Sequence, residues 1–387
     1  MSVGRSSYGI GAAVLNLVRA QITSGIHAEI WCLDEPAEIE WAKSYSGLSN
    51  EHIVGFRKRG PSFLGYSPDM ERMAIRSERR HIDIMHQQGI WSGISRVANL
   101  WREKYEAPTV IAPHGSLEQW ALENAAWKKR IAMLAYQARN LREASCLHAM
   151  STLEAKGFRI FGSQKPTAII ENGITDMWLQ NEGDEATFRS KYQIADDRRV
   201  MLYLGRISPV KNLCMLVKAI ARIGDASQNW LLVIAGKEEF GYCAEVEAII
   251  RELHMETRVR FVGSLYDEDK RNAFAAAELF VLPSLRESSS LVVLESLGAG
   301  TPVLTTKGTP WQELETYQCG WWSDIDVDAI SAALYKATHL RREQLKAMGE
   351  RGRQLVTERY RWSLAAQKCD LLYQWLLGYA EKPNFIV

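Results

Sequence analysis

Short apolar runs alternate along the whole chain with longer stretches whose apolar positions recur at helical spacing. Short apolar runs bounded by polar, Gly or Pro positions predict buried strands. The predicted strands are 28–33, 108–112, 145–149, 168–170, 200–204, 230–235, 259–262, 279–283 and 302–305. Strands that alternate with helices predict parallel sheets covered by helices on both faces. The fold class is therefore α/β.

The same pattern predicts the helices and the domain boundary. Helices are predicted over residues 12–24, 117–142, 212–223, 244–253, 267–276, from about 290, and 363–377. The strand and helix rhythm restarts after the turn signal Asn172-Gly173, and a chain of 387 residues is long enough for two domains. We expect a first domain over 1–172, a second over 173–362, and a C-terminal helix over 363–387 that packs back on the first. The polar stretch 180–197 lacks an apolar period, so a hinge is predicted there.

Composition narrows the class of protein. The chain is 47% hydrophobic and 24% charged with a formal net charge of +1, so bulk charge gives no reason to expect nucleic acid as a partner. Residues 57–142 nevertheless hold 15 Lys and Arg against 8 Asp and Glu, which indicates an anionic partner for the first half. The six cysteines are scattered without metal-ligand spacing, and the N-terminus lacks a signal-peptide core, so we expect a cytoplasmic protein with reduced thiols and no metal site.

The segment 280–295 holds the most informative chemistry of the chain. A predicted strand leads into Glu287, and Glu295 follows eight residues later inside a predicted helix. Ser288, Ser289 and Ser290 lie between them, and the first backbone N–H groups of the helix, at Ser290, Leu291 and Val292, can face a phosphate. Two carboxylates around such a turn suit a ligand with hydroxyls at both ends and phosphates between. The alternative is that the serines only cap the helix.

A second turn, at residues 205–212, follows the predicted strand 200–204. Arg206 and Lys211 lie where a parallel strand ends and a helix begins, which is where open α/β sheets bind ligands. Together a guanidinium and an ammonium can neutralise a diphosphate, whereas the alternative is two solvated loop charges. Near the N-terminus, Gly9 and Gly11 form a weaker phosphate-loop signal, because the spacing lacks a third glycine. The short apolar start before Gly4 indicates a vestigial first strand or a missing segment.

Two histidines and one helix are further candidates in the first half. His114, between Pro113 and Gly115, follows a predicted strand, so a functional and a structural role are both open, whereas His86 fits a structural role better. In the predicted helix 117–142, Trp120 and Trp127 lie beside basic residues. Such a helix can lie on an anionic membrane surface, although an ordinary solvated face is the alternative.

These residues resemble the family-4 retaining glycosyltransferases of the GT-B fold, in which two Rossmann-like doubly wound domains face a central cleft. The resemblance covers nearly the whole chain. The motifs that carry it are Gly205-Arg206 to Lys211, Ile234-Ala235-Gly236, Phe261-Val262-Gly263, the pair Glu287 and Glu295, Gly300-Thr301-Pro302-Val303, Pro113-His114-Gly115 and Glu171-Asn172-Gly173-Ile174.

The resemblance implies a role for each site residue. Arg206 and Lys211 would hold the donor diphosphate, Glu295 the ribose hydroxyls, and Glu287 the transferred sugar. Backbone near Val262 and Gly263 would meet the base, with Gly236 also on the donor side, and His114 would lie beside the sugar and acceptor. Glu287, His114, Arg206 and Lys211 are then the catalytic candidates. Neither a metal nor another cofactor is implied, since the basic side chains stabilise the departing phosphate.

The implied activity is transfer of a sugar, with retention, from a nucleotide-sugar to a hydroxyl acceptor in surface polysaccharide or glycoconjugate synthesis. The acceptor would be a glycan or lipid-linked glycan, with a peripheral contact to anionic membrane on the cytoplasmic face. Many family members have Gly-Phe-Gly where this chain has Ser288 to Ser290, and Gln88 replaces a second histidine. The serines at Ser288 to Ser290 and the short apolar start leave a catalytically impaired sugar-nucleotide-binding protein as an alternative. A sugar-nucleotide epimerase of similar fold is a third hypothesis.

Overall fold

The chain folds into two compact units. The computed structural model describes residues 2–5, 8–76, 82–118, 121–122, 126–180 and 183–387. Unit 1 comprises Met1–Gly173 and Trp362–Val387, and unit 2 comprises Ile174–Arg361. The chain leaves unit 1 after Gly173, one residue beyond the domain boundary that the sequence predicts.

Parallel strands organise unit 1. They are β1 Ile30–Cys32, β2 Ile53–Gly55, β3 Met85–Gln88, β4 Thr109–Ala112, β5 Cys146–Ala149 and β6 Thr167–Ile169. Strands β1 and β2 pair with each other, and the other four form a sheet in the order β3-β4-β5-β6. Its helices are Tyr8–Thr23, Pro36–Ser46, Pro68–Ala74, Ile94–Tyr105, Ala126–Ala132, Ala138–Glu143, Thr152–Ile160 and Trp362–Leu376, and a π-helical turn, Met133–Gln137, joins the fifth to the sixth. Strand β4 is buried along its whole length, which is typical of an interior parallel strand.

The C-terminal segment belongs to unit 1. Helix Trp362–Leu376 packs against helix Tyr8–Thr23. Beyond that helix, the N–H of Thr167 donates to the carbonyl of Val387 at 2.9 Å, and the N–H of Ile169 donates to the carbonyl of Phe385 at 3.0 Å. The last residues thus extend the sheet edge at β6.

Unit 2 is built on six parallel strands. They are β7 Arg199–Leu204, β8 Trp230–Ala235, β9 Val259–Gly263, β10 Leu279–Leu282, β11 Val303–Thr306 and β12 Gly320–Ser323, in the order β12-β11-β10-β7-β8-β9. Its helices are Asp176–Gln180, Glu185–Lys191, Leu213–Arg222, Tyr242–Glu252, Asp267–Ala276, Leu291–Ala299, Glu313–Thr316, Val327–Thr338 and Arg342–Arg359. The order of the strands across the sheet is that of the doubly wound Rossmann fold, which confirms the predicted α/β class. All residues of β8 and β10 are buried.

Some predicted elements differ from the structure. The five predicted strands of the second half agree within one residue at each end. The strands β2, β3 and β12, which are all short, are absent from the predicted set. The predicted hinge at 180–197 instead contains helix Glu185–Lys191, whose Phe188 and Arg189 are buried in unit 2. No helix in the described part of the chain is long and apolar enough to cross a membrane.

Candidate functional site

The candidate donor site lies where the strand order of unit 2 reverses. Strands β7 and β10 are neighbours at the centre of the sheet, and their helical connections leave in opposite directions. Loops at the carboxyl ends of such strands flank a crevice that binds ligands in doubly wound folds. Here those loops are 205–212 after β7 and 283–290 after β10. The N–H of Leu285 donates to the carbonyl of Val210 at 2.8 Å, so the two loops are joined directly.

A buried ion pair connects these two loops. Lys211 ends the short 3₁₀ turn Pro209–Lys211, and its ammonium donates to Oε1 of Glu287. Ser284, which is fully buried, donates its hydroxyl to the same oxygen at 2.6 Å. The side chains of Lys211 and Glu287 are 11% and 13% exposed, so the pair is only weakly screened by solvent. The structure thus brings together two of the predicted catalytic residues.

Arg206 lies at the start of the same loop but is half exposed. Its Nη1 forms an ion pair with Oε2 of Glu239 at 2.7 Å, and Glu239 lies in the loop after β8. The backbone carbonyl of Arg206 accepts a hydrogen bond from the hydroxyl of Tyr203 at 2.6 Å. Burial raises the pKa of Tyr203 well above its ordinary value, and the charge of Glu287 adds to the effect. The hydroxyl therefore stays protonated and can donate the hydrogen bond that holds the loop at Arg206.

Backbone approaches tightly between the loops after β7 and β8. Gly236 has φ +155°, and a Cβ at that position would lie 1.7 Å from the carbonyl oxygen of Gly205. Its N–H donates to the carbonyl of Gly263 at 2.8 Å, so the ends of three adjacent strands meet there. Val262 and Gly263 close β9 at the same edge and are not buried. The predicted base-binding backbone thus shares an edge with Arg206 and Lys211.

Helix Leu291–Ala299 begins directly after the serine turn. Ser290 takes the N-cap position, but its φ is +73° and its side chain makes no capping hydrogen bond. The carbonyl of Ser289 accepts from the indole of Trp311 at 2.9 Å, which fixes the turn. The predicted capping by side chains is therefore not seen at Ser290. Leu291 and Val292 are the first two residues of the helix.

Glu295 lies on this helix in an ion pair. Its Oε2 is 2.5 Å from the ammonium of Lys270, and the two side chains are 17% and 20% exposed. Lys270 also lies over the ring of Trp178, 5.4 Å from its centroid. The carboxylate proposed for the ribose is thus charge-paired and faces helix Asp267–Ala276.

In unit 1, His114 lies two residues beyond β4 at the carboxyl edge of the sheet. Its Nε2 is 2.8 Å from Oε1 of Gln88, the last residue of β3. An amide oxygen can only accept, so Nε2 carries the proton and Nδ1 is the acceptor. Burial lowers the pKa of His114 to about 3, with His148 nearby as a smaller cause. The imidazole is therefore neutral and acts through hydrogen bonds.

A directional chain of hydrogen bonds includes His86. The carbonyl of Ile170 accepts from Nε2 of His148 at 2.9 Å, which leaves Nδ1 of His148 to accept from Nε2 of His86 at 3.1 Å. His86 Nδ1 then accepts from the hydroxyl of Tyr373 at 2.8 Å, and that oxygen accepts from the amide of Gln21 at 3.1 Å. Burial lowers the pKa of both histidines, that of His148 to about 4. His86 therefore joins the C-terminal helix to the sheet, as the structural interpretation proposed.

Two sequence predictions have a different local structure. Gly9 and Gly11 do not form a loop but lie in the first turn of helix Tyr8–Thr23, because the Ala and Leu residues that follow favour helix. Within the predicted helix 117–142, Ala121 and Leu122 are helical and a helix runs from Ala126, whereas Trp120 lies outside the described residues. Trp127 lies on that helix and is 63% exposed.

Sequence reasoning missed several residues that hold the candidates in place. They are Tyr203, Ser284, Glu239, Lys270 and Glu154. Ser284 directly follows a predicted strand and lies three residues before Glu287, which was a usable signal. The others lie far along the chain from their partners and meet them only in the folded structure. Arg206 and Glu239, for example, are 33 positions apart.

Two family models match consecutive parts of the chain. A glycosyl transferase 4-like domain matches residues 8–173, and the model for glycosyl transferases group 1 matches residues 184–355. Among relatives, D-inositol 3-phosphate glycosyltransferase 2 of Catenulispora acidiphila is 26% identical over 276 residues, 69% of this chain and 63% of that protein. N-acetyl-alpha-D-glucosaminyl L-malate synthase of Bacillus anthracis is 26% identical over 193 residues, 49% of each chain. The matched part thus spans less than two thirds of either relative.

Solved structures share the fold at lower identity. A crystal structure of Anabaena HepE in complex with UDP and glucose has a TM-score of 0.73 at 17% identity and covers 94% of this chain and 95% of that one. Sucrose-phosphate synthase from Thermosynechococcus elongatus has a TM-score of 0.76 at 20% identity and covers 98% of this chain and 96% of that one. With both family models in consecutive order on this fold, the chain belongs to the family-4 type of glycosyltransferases with the GT-B fold.

Proposed function

We propose that this glycosyltransferase moves a sugar from a nucleotide-sugar donor to a hydroxyl acceptor with retention of configuration and without a metal ion or other cofactor. The product would belong to a surface polysaccharide or a related glycoconjugate. Unit 2 would bind the donor. His114 of unit 1 would lie beside the transferred sugar and the acceptor.

One observation carries the proposal: Lys211, Glu287 and Ser284 form a buried network between the two loops at the switch point. A diphosphate in that crevice would meet the ammonium of Lys211 and the N–H groups at the start of helix Leu291–Ala299. Glu287 would then turn its carboxylate to sugar hydroxyls. Ser284 holds one carboxylate oxygen from below and would keep the group in place during this exchange.

The charged residues of this edge are paired with one another before any donor binds. Arg206 pairs with Glu239, Lys211 with Glu287, and Lys270 with Glu295. A donor diphosphate would replace the carboxylates as the partner of Arg206 and Lys211, and the ribose hydroxyls would donate hydrogen bonds to the carboxylate of Glu295. The two cations would then stabilise the leaving phosphate, in a site where charge interactions are stronger than in water. This supply of positive charge supports a reaction without a metal ion.

Structural neighbours support a nucleotide-sugar as the donor. Anabaena HepE has been solved with UDP-glucose, and that structure covers 94% of this chain at a TM-score of 0.73. The relatives with matching sequence are named for transfer to inositol phosphate and to malate, so their names include no polymer as an acceptor. The base and sugar of the donor, and the acceptor, are therefore to be identified by direct measurement.

A donor screen tests the proposal. Thermal shifts are recorded for the wild type with UDP-, GDP- and ADP-sugars, since a ligand that binds only the native state raises its apparent stability. The best donor is then followed for transfer and hydrolysis. Lys211→Ala should lose the shift, whereas Lys218→Ala, which removes an exposed lysine of the next helix, should keep it.

The outcomes separate the two leading hypotheses. Transfer or slow hydrolysis of a donor by the wild type supports the enzyme. A donor that binds, with neither transfer nor hydrolysis across an acceptor panel, would favour the sugar-nucleotide-binding protein instead. Retention is checked by the anomeric configuration of the product in NMR.

We further propose that unit 1 touches an anionic membrane through an apolar face formed by Phe63, Trp127, Ile131 and Leu134. These side chains are 57%, 63%, 59% and 90% exposed, and the last three lie on one face of the helical segment. The ammonium of Lys128 lies 4.4 Å from the ring centroid of Phe63, which places a positive charge beside the face. Apolar residues flanked by basic ones suit the interface of anionic lipids and would bring a lipid-linked acceptor to the enzyme.

Liposome flotation tests the membrane contact. Wild-type protein should float with vesicles that contain 30% phosphatidylglycerol and stay in solution with pure phosphatidylcholine. Trp127→Ser with Leu134→Ser should abolish flotation. The exposed Ile160→Ser of the same unit serves as the control, and flotation of the double variant equal to the wild type would remove the assignment.

A further inference from the structure

Glu154 is a buried carboxylate that the proposed donor site does not use. It lies in helix Thr152–Ile160, directly after β5, and is only 1% exposed. Oε1 accepts the N–H of Gly115 at 2.6 Å, and Oε2 accepts the N–H of Met150 at 2.7 Å. One carboxylate therefore joins the loop after β4 to the loop after β5. Each carboxyl oxygen thus accepts one backbone N–H, and these two hydrogen bonds offset part of the cost of burying the group.

The loop that it holds is the turn that carries His114. The N–H of Ser116 donates to the carbonyl of Pro113 at 3.2 Å, and the two central residues have φ of +51° and +75°. This is a type I′ turn with a non-glycine at its first central position, a conformation that needs outside support. The N–H of Gly115 is not used by the turn itself, so the carboxylate of Glu154 satisfies it.

Two further contacts fix the rest of this turn. The indole of Trp91 donates to the carbonyl of Ser116 at 3.0 Å, and the imidazole of His114 donates to Gln88. Among these supports, only Glu154 reaches the peptide N–H directly after His114. A shift of that peptide would rotate the imidazole away from its hydrogen bond and redirect Nδ1.

We propose that Glu154 is a positioning residue of the transfer reaction, which fixes the turn Pro113–Ser116 so that Nδ1 of His114 keeps one direction. The inference rests on the proposed function, which gives His114 its place beside the sugar. It adds a residue that acts through the backbone, without touching the substrate.

The substitution Glu154→Gln separates this role from general stability. Gln has nearly the same size, but its amide accepts with one oxygen and points an N–H₂ group at the other backbone donor. One of the two backbone N–H groups must then lose its partner. Ser151→Ala is the matched control, because it removes the Ser151 Oγ cap from the start of the same helix and leaves the carboxylate in place.

Two measurements decide the question. Side-chain ¹⁵N resonances of His114, assigned with a His114→Gln variant, report the orientation and protonation of the ring without any substrate. Steady-state transfer with the best donor then separates kcat from the donor KM. We expect Glu154→Gln to move the His114 resonances and to lower kcat at least about tenfold, with donor KM within about twofold, since the donor contacts lie in unit 2. Ser151→Ala should leave the resonances in place and kcat within about twofold.

The failures are distinguishable. If wild-type protein transfers no sugar, the proposed function fails, and the resonances alone still show whether Glu154 fixes the turn. If Glu154→Gln leaves both the resonances and kcat unchanged, or if Ser151→Ala lowers kcat as much, the positioning role is refuted. Should Glu154→Gln not fold, Glu154→Asp retains the charge but not the reach, and the same two readouts apply to it.

Discussion

The two units place polar residues at the carboxyl edges of their sheets in different ways. In unit 1 the edge holds neutral imidazoles, and each hydrogen bond of the chain from Gln21 to Ile170 has a fixed direction. In unit 2 the edge holds charges, paired as Arg206 with Glu239, Lys211 with Glu287 and Lys270 with Glu295. Both arrangements satisfy buried polar groups, but they depend on different conditions.

The difference teaches how each edge should respond to its surroundings. Hydrogen bonds between neutral imidazoles are little affected by salt. They are lost when acid protonates the rings, because the buried charge has no partner there. Ion pairs withstand moderate acid but weaken when salt or a competing anion reaches them. A diphosphate is such an anion, so the charged edge suits donor exchange, whereas the neutral edge suits fixed orientation.

The largest expected effect is the loss of unit 1 in acid. Burial lowers the pKa of His86, of His114 to about 3 and of His148 to about 4, from 6.5 in the unfolded chain. Their contribution is therefore complete above about pH 6.5 and is lost as pH falls. Burial raises the pKa of Glu154 to about 7, and backbone N–H groups oppose the rise, so this carboxyl contributes below its unfolded pKa of 4.5 and loses that contribution as pH rises through 7.

Between about pH 6.5 and 4.5 the unfolded chain binds a proton at each of the three histidines, whereas the folded unit binds one at Glu154. The unfolded state therefore binds about two more protons than the folded state. Stability of unit 1 should then fall by about 3 kcal/mol per pH unit. Hydrogen exchange with mass spectrometry at pH 7, 6 and 5 checks this, since peptides of unit 1 should lose protection before those of unit 2. Exposed His254 of unit 2 gives the control His254→Gln, which should leave the profile unchanged. Earlier loss of unit 2 would reverse the comparison.

The next largest effect concerns the ion pair of unit 2. Lys211→Ala and Glu287→Ala should each lower kcat by about 10²- to 10³-fold, and the double variant should lose little more, because the two side chains act together. Each single variant leaves a largely buried charge without its partner, at about 3 kcal/mol of unfolding free energy. The double variant removes both charges.

Urea unfolding of the three variants measures this coupling. We expect the double variant to be more stable than Lys211→Ala, since Ser284 alone does not neutralise Glu287. Additive losses in both stability and kcat would mean that the two side chains act independently. The comparison between a charged and a neutral edge would then no longer hold for the switch point.

Much of the fold followed from the sequence, because buried parallel strands are near-continuous apolar runs. The runs at 230–235 and 279–283 predicted β8 and β10 within one residue. Short strands at sheet edges, such as β2 and β12, carry too few apolar positions to stand out. Helix Glu185–Lys191 was missed because only Phe188 and the buried Arg189 mark its inner face.

The candidate site followed only in part. Lys211 and Glu287 lie 76 positions apart, and their placement at one donor site was predicted because strand ends in a doubly wound sheet converge. Their direct ion pair was not predicted. The ion pair between Glu239 and Arg206 depends on side-chain geometry that no local pattern records. The same holds for Glu154, whose spacing from Gly115 follows from the register of β4 and β5.

A backbone test of moderate size is Gly236→Ala. The added Cβ would lie 1.7 Å from the carbonyl oxygen of Gly205, so one of the two loops must move. We expect about 2 kcal/mol or more of lost stability, together with loss of the donor-induced thermal shift. Gly241→Ala is the control, since its φ is also positive but no atom lies within 4 Å of the added Cβ. Equal loss of donor binding in both variants would show that backbone strain, rather than the loop contact, controls the charged edge.

The smallest expected effect concerns the serine turn of unit 2. Ser290 has φ +73°, and its hydroxyl has no hydrogen-bond partner within the described ranges of the chain. A residue other than glycine in the left-handed conformation costs about 1 to 2 kcal/mol of stability. Glycine avoids this strain but loses about 0.5 to 1 kcal/mol more in backbone entropy on folding. Ser290→Gly should therefore raise the free energy of unfolding by about 0.5 to 1 kcal/mol. Ser288→Gly, where φ is not positive, should lower it by a similar amount, with both measured as urea midpoints at unchanged m-value. If Ser290→Gly is destabilising instead, the serine hydroxyl has a partner worth more than the strain, and the turn belongs with the fixed polar contacts of unit 1 rather than with the exchangeable edge of unit 2.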